Sequence, residues 1–152
     1  MIKLVPKFNK ADIKKMLIER VKRIDEAILS ALQRTGEKFI KNARSTNTYK
    51  DVTGNLRSSI GYIILKNGAQ VFEGGFITFK EGGEGAKVGK KVIEEISKRF
   101  GTGYVLICVA GMDYAAAVES KGFDVITGSS KIAEQDLKKA IKGLSDKFKK
   151  MK

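Results

Sequence analysis

From Ala11 to Ala43, apolar side chains recur at Ile13, Leu17, Val21, Ile24, Ile28, Ala31, Leu32, Phe39 and Ile40, with charges such as Lys14, Lys15, Lys22, Glu26 and Lys41 between them. Spacing of three and four residues predicts one amphipathic helix, starting at Asn9 or at Lys10 to Asp12. Thr35-Gly36 is the candidate kink or break, because glycine inside a helix costs about 1 kcal/mol against alanine. Unbroken, about 33 residues at about 1.5 Å each reach roughly 50 Å. A compact domain of this size has a radius of gyration of roughly 15 Å and a diameter of about 40 Å. The helix therefore either bends or overhangs its own domain, and an overhanging apolar stripe needs a neighbour to cover it.

The rest of the chain supplies a sheet and its cover. Residues 45–54, "STNTYKDVTG", are polar and rich in turn formers, and Thr53 or Asn55 suits the cap of a short helical turn through Leu56 to Ser59. "GYIILKNGAQVFEGGFITF" predicts a hairpin, since Asn67-Gly68 fits a two-residue type I′ loop. That loop sets Lys66 against Ala69, Ile64 against Val71 and Tyr62 against Glu73. "EGGEGAKVG", residues 81–89, is expected to be a flexible glycine-rich connector, ahead of a helix carrying Val88, Val92, Ile96 and Phe100. "GYVLICVAG" is a strand, "MDYAAAVESKG" one or two helical turns packed through alanines, and "FDVIT" a last strand. Ser129 or Ser130 caps a closing helix with the stripe Ile132, Leu137, Ala140, Ile141, Leu144 and Phe148, ending in a lysine tail. No repeat or low-complexity linker divides residues 1–152, so one domain is expected: a long basic helix at about 10–44, a sheet region at about 56–128 and a closing helix at about 129–150. Because the first strands pair locally and the helices are partly segregated, the fold class is α+β. A mostly antiparallel sheet of about four strands is packed by the long N-terminal helix, a middle helix and the C-terminal helix.

Several function classes are disfavoured by the inventory. The 152 residues include no histidine and one cysteine, which removes Ser-His and Cys-His nucleophiles, the commonest metal ligand and any intrachain disulfide. Cys108 lies in an apolar run and is expected in the core. The glycine loop at 81–89 is not a Walker loop, because Glu84 stands where the first glycine belongs and Lys91 replaces the magnesium-binding hydroxyl. Ser58 and Ser59 have no base beside them, and Glu94, Glu95, Asp113 and Glu119 form no acid/base pair. No catalytic, cofactor-binding or metal-ligating residue is therefore assigned, and the chain is not expected to be an enzyme. No apolar stretch reaches membrane-spanning length and no signal peptide is recognisable, so a soluble protein made in the cytoplasm is expected.

The net charge of +13 is uneven. Residues 1–44 hold 12 Lys/Arg against 5 Asp/Glu, residues 45–128 hold 10 against 9, and residues 129–152 hold 8 against 3. Two basic ends around a neutral middle fit either a solvated assembly subunit or nonspecific phosphate contact by the terminal helices. The aromatics Tyr62, Phe72, Phe76, Phe79 and Tyr104 sit in apolar strands, where a core needs them, and no specific nucleic-acid motif is present.

"TGNLRSSIGY", residues 53–62, after the long basic helix, and "GMDYAAAVESKG", residues 111–122, together resemble the tail-completion, or head-to-tail joining (neck), proteins of long-tailed phages and prophages. Thr53, Gly54, Leu56, Arg57, Ser59 and Ile60 match the first element, and Tyr114, Ala115, Val118 and Glu119 match the second. The chain departs from the pattern at "YKDV", where the family commonly has a proline, and at Ser120-Lys121-Gly122, where it often has an aromatic-Gly-Thr; tail side and neck side both stay open. The resemblance implies a structural virion protein with no enzymatic step. It would be a small α+β subunit joining into a ring, a hexamer by family likeness, with other phage head or tail proteins as partners and the host cytoplasm as its place of assembly. The motif positions are then joints: Thr53-Gly54-Asn55 turns the chain, Leu56 and Ile60 anchor it, and Arg57 serves as an interface ion pair or a backbone clamp. Loops 45–54 and 80–89 are expected to order on docking. Nonspecific DNA binding through the basic helices is the alternative.

Overall fold

A computed structural model describes Val5, Lys7 and residues 9–150, so the end of the expected lysine tail lies outside the described residues. Eight elements follow in order: α1 (Lys10–Ser45), α2 (Asn55–Ser58), β1 (Ile60–Lys66), β2 (Ala69–Gly75), α3 (Gly83–Ser97), β3 (Tyr104–Ala110), α4 (Ala115–Ser120) and α5 (Thr127–Lys149). The sheet order is β2-β1-β3 with both pairings antiparallel. The class is α+β with a long N-terminal helix, and the sheet has three strands among the described residues rather than about four.

The central strand β1 explains the layering. Alternate residues of a strand face opposite sides. Ile60, Tyr62 and Ile64 bury against α1, whereas Ile63 and Leu65 bury with Phe76, Ile93, Ile107 and Val109 beneath α3. α5 packs along α1 in the opposite direction, since Asp136 pairs with Lys38 while Ala140 lies beside Ala31 and Arg34.

α1 is unbroken over 36 residues, running through Thr35-Gly36. The expected break is absent because Gly36 serves packing: the Tyr62 ring lies where a Gly36 Cβ would stand, and Gly74 clears the other side of the same ring. Thr35 donates its hydroxyl to the Ala31 carbonyl (2.9 Å), so its polar group is satisfied inside the helix. The Tyr62 hydroxyl donates to Glu37 Oε1 at 2.8 Å.

The hairpin turn is as the sequence implies, with Asn67 and Gly68 at positive φ and Lys66 opposite Ala69. Beyond it the register differs: Leu65 pairs with Gln70 but Ile64 with Phe72, and Tyr62 with Gly74 rather than Glu73. The extra residue, Val71, is a bulge, which moves Phe72 onto the α1 face. There its ring stacks on Tyr62 with centroids 6.0 Å apart. The hairpin ends at Gly75; Phe76 turns away at positive φ, so "FITF" does not continue the strand.

Two further expectations are corrected. Residues 83–89 begin α3 instead of forming a flexible connector, because Gly82, Gly85 and Gly89 make one face that lets α3 approach Ser58, Asn55 and Ser59 at backbone distance. "FDVIT" is no strand: the N–H groups of Val125, Ile126 and Thr127 all donate to Glu119 Oε1, and α5 starts at Thr127, ahead of Ser129. Ile132 and Ile141, both expected in the apolar stripe of α5, are exposed.

Gly36→Ala should gain helix propensity of about 1 kcal/mol yet lower stability overall by about 1–3 kcal/mol, because the new methyl group meets the Tyr62 ring. Urea unfolding checks this. In a Tyr62→Leu background the same substitution should cost less or become stabilising.

Candidate functional site

The two sequence elements that carried the resemblance, residues 53–62 and 111–122, meet in space. Leu56 from the first buries with Ala115 from the second and with Val125, and Val118, Tyr49 and Met112 pack around them. Gly54 takes a left-handed conformation, φ +84°, and a side chain there would strike the Phe79 carbonyl. Thr53 Oγ1 accepts the Asn55 N–H at 3.3 Å, but the main cap of α2 is Asp51, whose two oxygens accept the N–H groups of Gly54 and Arg57 at 3.0 Å each. Asn55 Oδ1 accepts from Gly85 at the start of α3. Ser58 and Ser59 are fully buried. Ser58 Oγ bridges the Gly54 carbonyl and the Phe79 N–H, while Ser59 Oγ donates to the Leu56 carbonyl. Their hydroxyls complete backbone bonding at a tight joint, and neither faces a base.

Arg57 turns toward the α1–α2 connection: Nη2 donates to the Thr46 carbonyl at 3.4 Å and the guanidinium lies over the Tyr49 ring, 5.8 Å from its centroid. The stronger clamp is Arg44, which sequence reading did not single out. It donates to the carbonyls of Arg57 (3.3 Å) and Ile60 (2.9 Å) and stacks on Phe79 at 5.0 Å. The last turn of α1 is thereby fixed to the strand entry. Thr53 or Asn55 was the expected cap of α2; the signal for Asp51 was an Asp two residues ahead of the Thr-Gly turn. Arg44 gave no such signal, because its partners are carbonyls distant in sequence. Loop 46–54 is pinned further by Thr48 to the Asp124 carbonyl (2.8 Å) and by Lys80 Nζ to the Asp51 carbonyl (2.7 Å).

Glu119 is a cap from outside its helix. Oε1 accepts from Val125, Ile126 and Thr127, and Oε2 from the Thr127 hydroxyl at 2.8 Å. These N–H groups lie on the approach to α5 and at its first residue, where the helix end favours a negative charge. Burial alone would raise the carboxyl, but the donated bonds outweigh it and hold the group below the usual carboxylate range. Tyr114 precedes α4 and is exposed.

A second feature lies on the opposite side of α1 from this chemistry. Every residue from Lys10 to Arg23 is exposed. The last tie holding α1 to the sheet is at Asp25, which accepts from Lys66 Nζ (2.7 Å) and the Tyr104 hydroxyl; those two bonds hold its carboxyl below the usual range. Beyond it α1 projects as an arm carrying Ile13, Leu17 and Val21. Where the arm joins the body, α1, β3 and α5 enclose a groove of about 640 Å³, lined by Ile24, Ile28, Leu106, Cys108, Leu137 and Phe148 among others. Ser129 is the one fully buried residue of α5, so its apolar side chains are only partly covered. Burial pushes the Cys108 thiol up to about 12, which keeps it protonated and unreactive at neutral pH.

Among the described residues no three His, Cys, Asp or Glu side chains group as a metal site, and no helix is long and apolar enough to cross a membrane. Comparison with known proteins finds no matching family model, no matching curated protein and no matching solved structure.

A carboxyl with a depressed folded-state value contributes stability above its unfolded value, near 4.5 for Glu119, and loses it as pH falls through the folded value. Glu119→Gln should therefore cost about 1–2 kcal/mol at neutral pH. It should also flatten the acid limb of the stability profile, read by urea unfolding across a pH series.

Proposed function

We propose that this chain is a structural virion protein, a tail-completion or head-to-tail joining subunit of a phage or prophage, which works by fitting against other polypeptides. The observation that carries the reading is the meeting of "TGNLRSSI" and "YAAAVE" around Leu56, Ala115 and Val125. Residues matched by resemblance alone form one joint, and their side chains go to packing and backbone bonds. A joint of this kind sets α1 and α5 at fixed angles to the sheet and so fixes the shape that a neighbour meets.

The arm of α1 supports the same reading. A stripe that includes Ile13, Leu17 and Val21 has no cover among the described residues, and apolar surface of that kind marks contact with another macromolecule. Head-to-tail contacts between identical subunits generate rings where the rotation closes, each stable contact burying more than about 1,000 Å². A ring, six-fold by family likeness, between head and tail components is the arrangement we favour. Nonspecific DNA binding is the second reading, favoured by the six Lys/Arg against two Asp/Glu in Lys10–Arg23.

Light scattering over a concentration series, read together with the genes flanking this one, tests the proposal. The expected result is a mass rising to a closed multimer and neighbours encoding capsid, portal or tail-tube proteins. A monomer at every concentration encoded among unrelated genes would overturn it. The second reading instead requires DNA affinity that falls by about 10³–10⁵ between about 50 and 200 mM salt.

A further inference from the structure

The arm and the groove are one surface. At about 100° per residue, Ile13, Leu17 and Val21 fall on the same line of α1 as Ile24 and Ile28, which form the groove wall. The apolar stripe therefore runs from the open arm straight into the groove. α5 covers α1 only up to its own end at Lys149, whose neighbour Phe148 lines the groove with Ile24. Among the described residues, a stretch of α1 from Ile13 to Ile24, roughly 16 Å or three turns long, is left with no helix on it.

Charge decides what fits. On the same helical spacing, Lys14 and Arg20 border the stripe on its two sides and Lys10 stands within it, whereas Glu19 and Glu26 fall on the far side of α1, with Arg23 and Asp12 side by side next to them. On α5, Lys142 and Lys149 lie on the flank beside the groove-lining residues. Glu134 lines the groove but is neutralised by Lys138, and Asp136 is engaged by Lys38. The track is thus apolar at its floor and basic along both banks. A second copy of the arm would bring the same basic borders against these banks, and like charges brought together oppose docking.

We propose that this track receives an acidic amphipathic helix of a different protein, its apolar stripe laid on Ile13 to Ile24 and its Asp/Glu side chains against the lysines and arginines on either bank. The occupant is a helix because the uncovered floor is a helix stripe, which a partner covers by continuing the line along which α5 already packs. This docking is separate from the self-contacts of a ring, which then fall on other faces.

The probe is a fluorescent synthetic peptide of about 18 residues with leucine at helical spacing and glutamate on its polar face, compared with a twin carrying lysine for glutamate. Anisotropy with the full chain should show saturable binding of the acidic peptide, about tenfold or more tighter than its twin. Val21→Asp and Lys142→Glu, both at exposed positions, should each weaken it about tenfold. Lys91→Glu, an equal charge change on α3, should leave it within about twofold. Equal binding of the two peptides, or equal loss with Lys91→Glu, overturns the proposal. So does self-association that Val21→Asp abolishes, which assigns the track to a second copy, and so does duplex DNA binding lost with Lys142→Glu but kept with Val21→Asp. A multimer that survives Val21→Asp alongside failed peptide binding would remove this inference and leave the ring reading standing.

Discussion

The Tyr62 ring, wedged between the Cα of Gly36 and that of Gly74, is the contact through which α1 and the sheet hold each other. It is fully buried, stacks on Phe72 and donates its hydroxyl to Glu37 at 2.8 Å. Burying an aromatic side chain contributes about 1.5–3 kcal/mol. Its position also has geometric consequences. With α1 seated at Gly36 by this ring and at Arg44 by carbonyl bonds, its first fourteen residues have nowhere to go but outward. A helix of 36 residues, about 54 Å long, held at its C-terminal half is an arm by construction.

Polar residues near this anchor act on backbone groups. Asp51 caps α2, Arg44 binds two carbonyls, Ser58 bridges a carbonyl and an N–H, and Glu119 takes three N–H groups at the head of α5. Each fills a position where a buried or terminal backbone group would otherwise go unpaired, a loss of about 1–3 kcal/mol per group. Side chains committed in this way set angles between elements. That division of labour suits a part whose output is shape, with its interacting surface, the basic-bordered apolar track, built on the element that those bonds hold in place.

Much of this was legible in the residues, and the misses have physical causes. The long helix, the Asn67-Gly68 turn and the order of elements as far as β3 followed from periodicity and turn chemistry. The Gly-rich stretch 81–89 was read as a flexible connector because a glycine needed for close approach looks the same in sequence as one needed for freedom. Gly85 and Gly89 are of the first kind, and only the position of Asn55 and Ser59 reveals it. "FDVIT" has the composition of a strand, but its donors are claimed by Glu119, a long-range choice that local propensity cannot register. The bulge at Val71 likewise depends on Phe72 finding Tyr62. At the site, Leu56 and Ala115 were named without any sign that they touch, and Arg44 lay hidden in the helix pattern.

Hydrogen exchange along α1 in the dilute, unpartnered chain tests the central claim most directly, because local protection reports which turns are held by tertiary contacts. Amides from Ala31 to Ala43 should exchange only near global opening, and those from Ile13 to Arg23 faster by about a hundredfold or more. Uniformly slow exchange from Ile13 to Ala43 would show that the arm is covered within its own molecule, and would contradict the account.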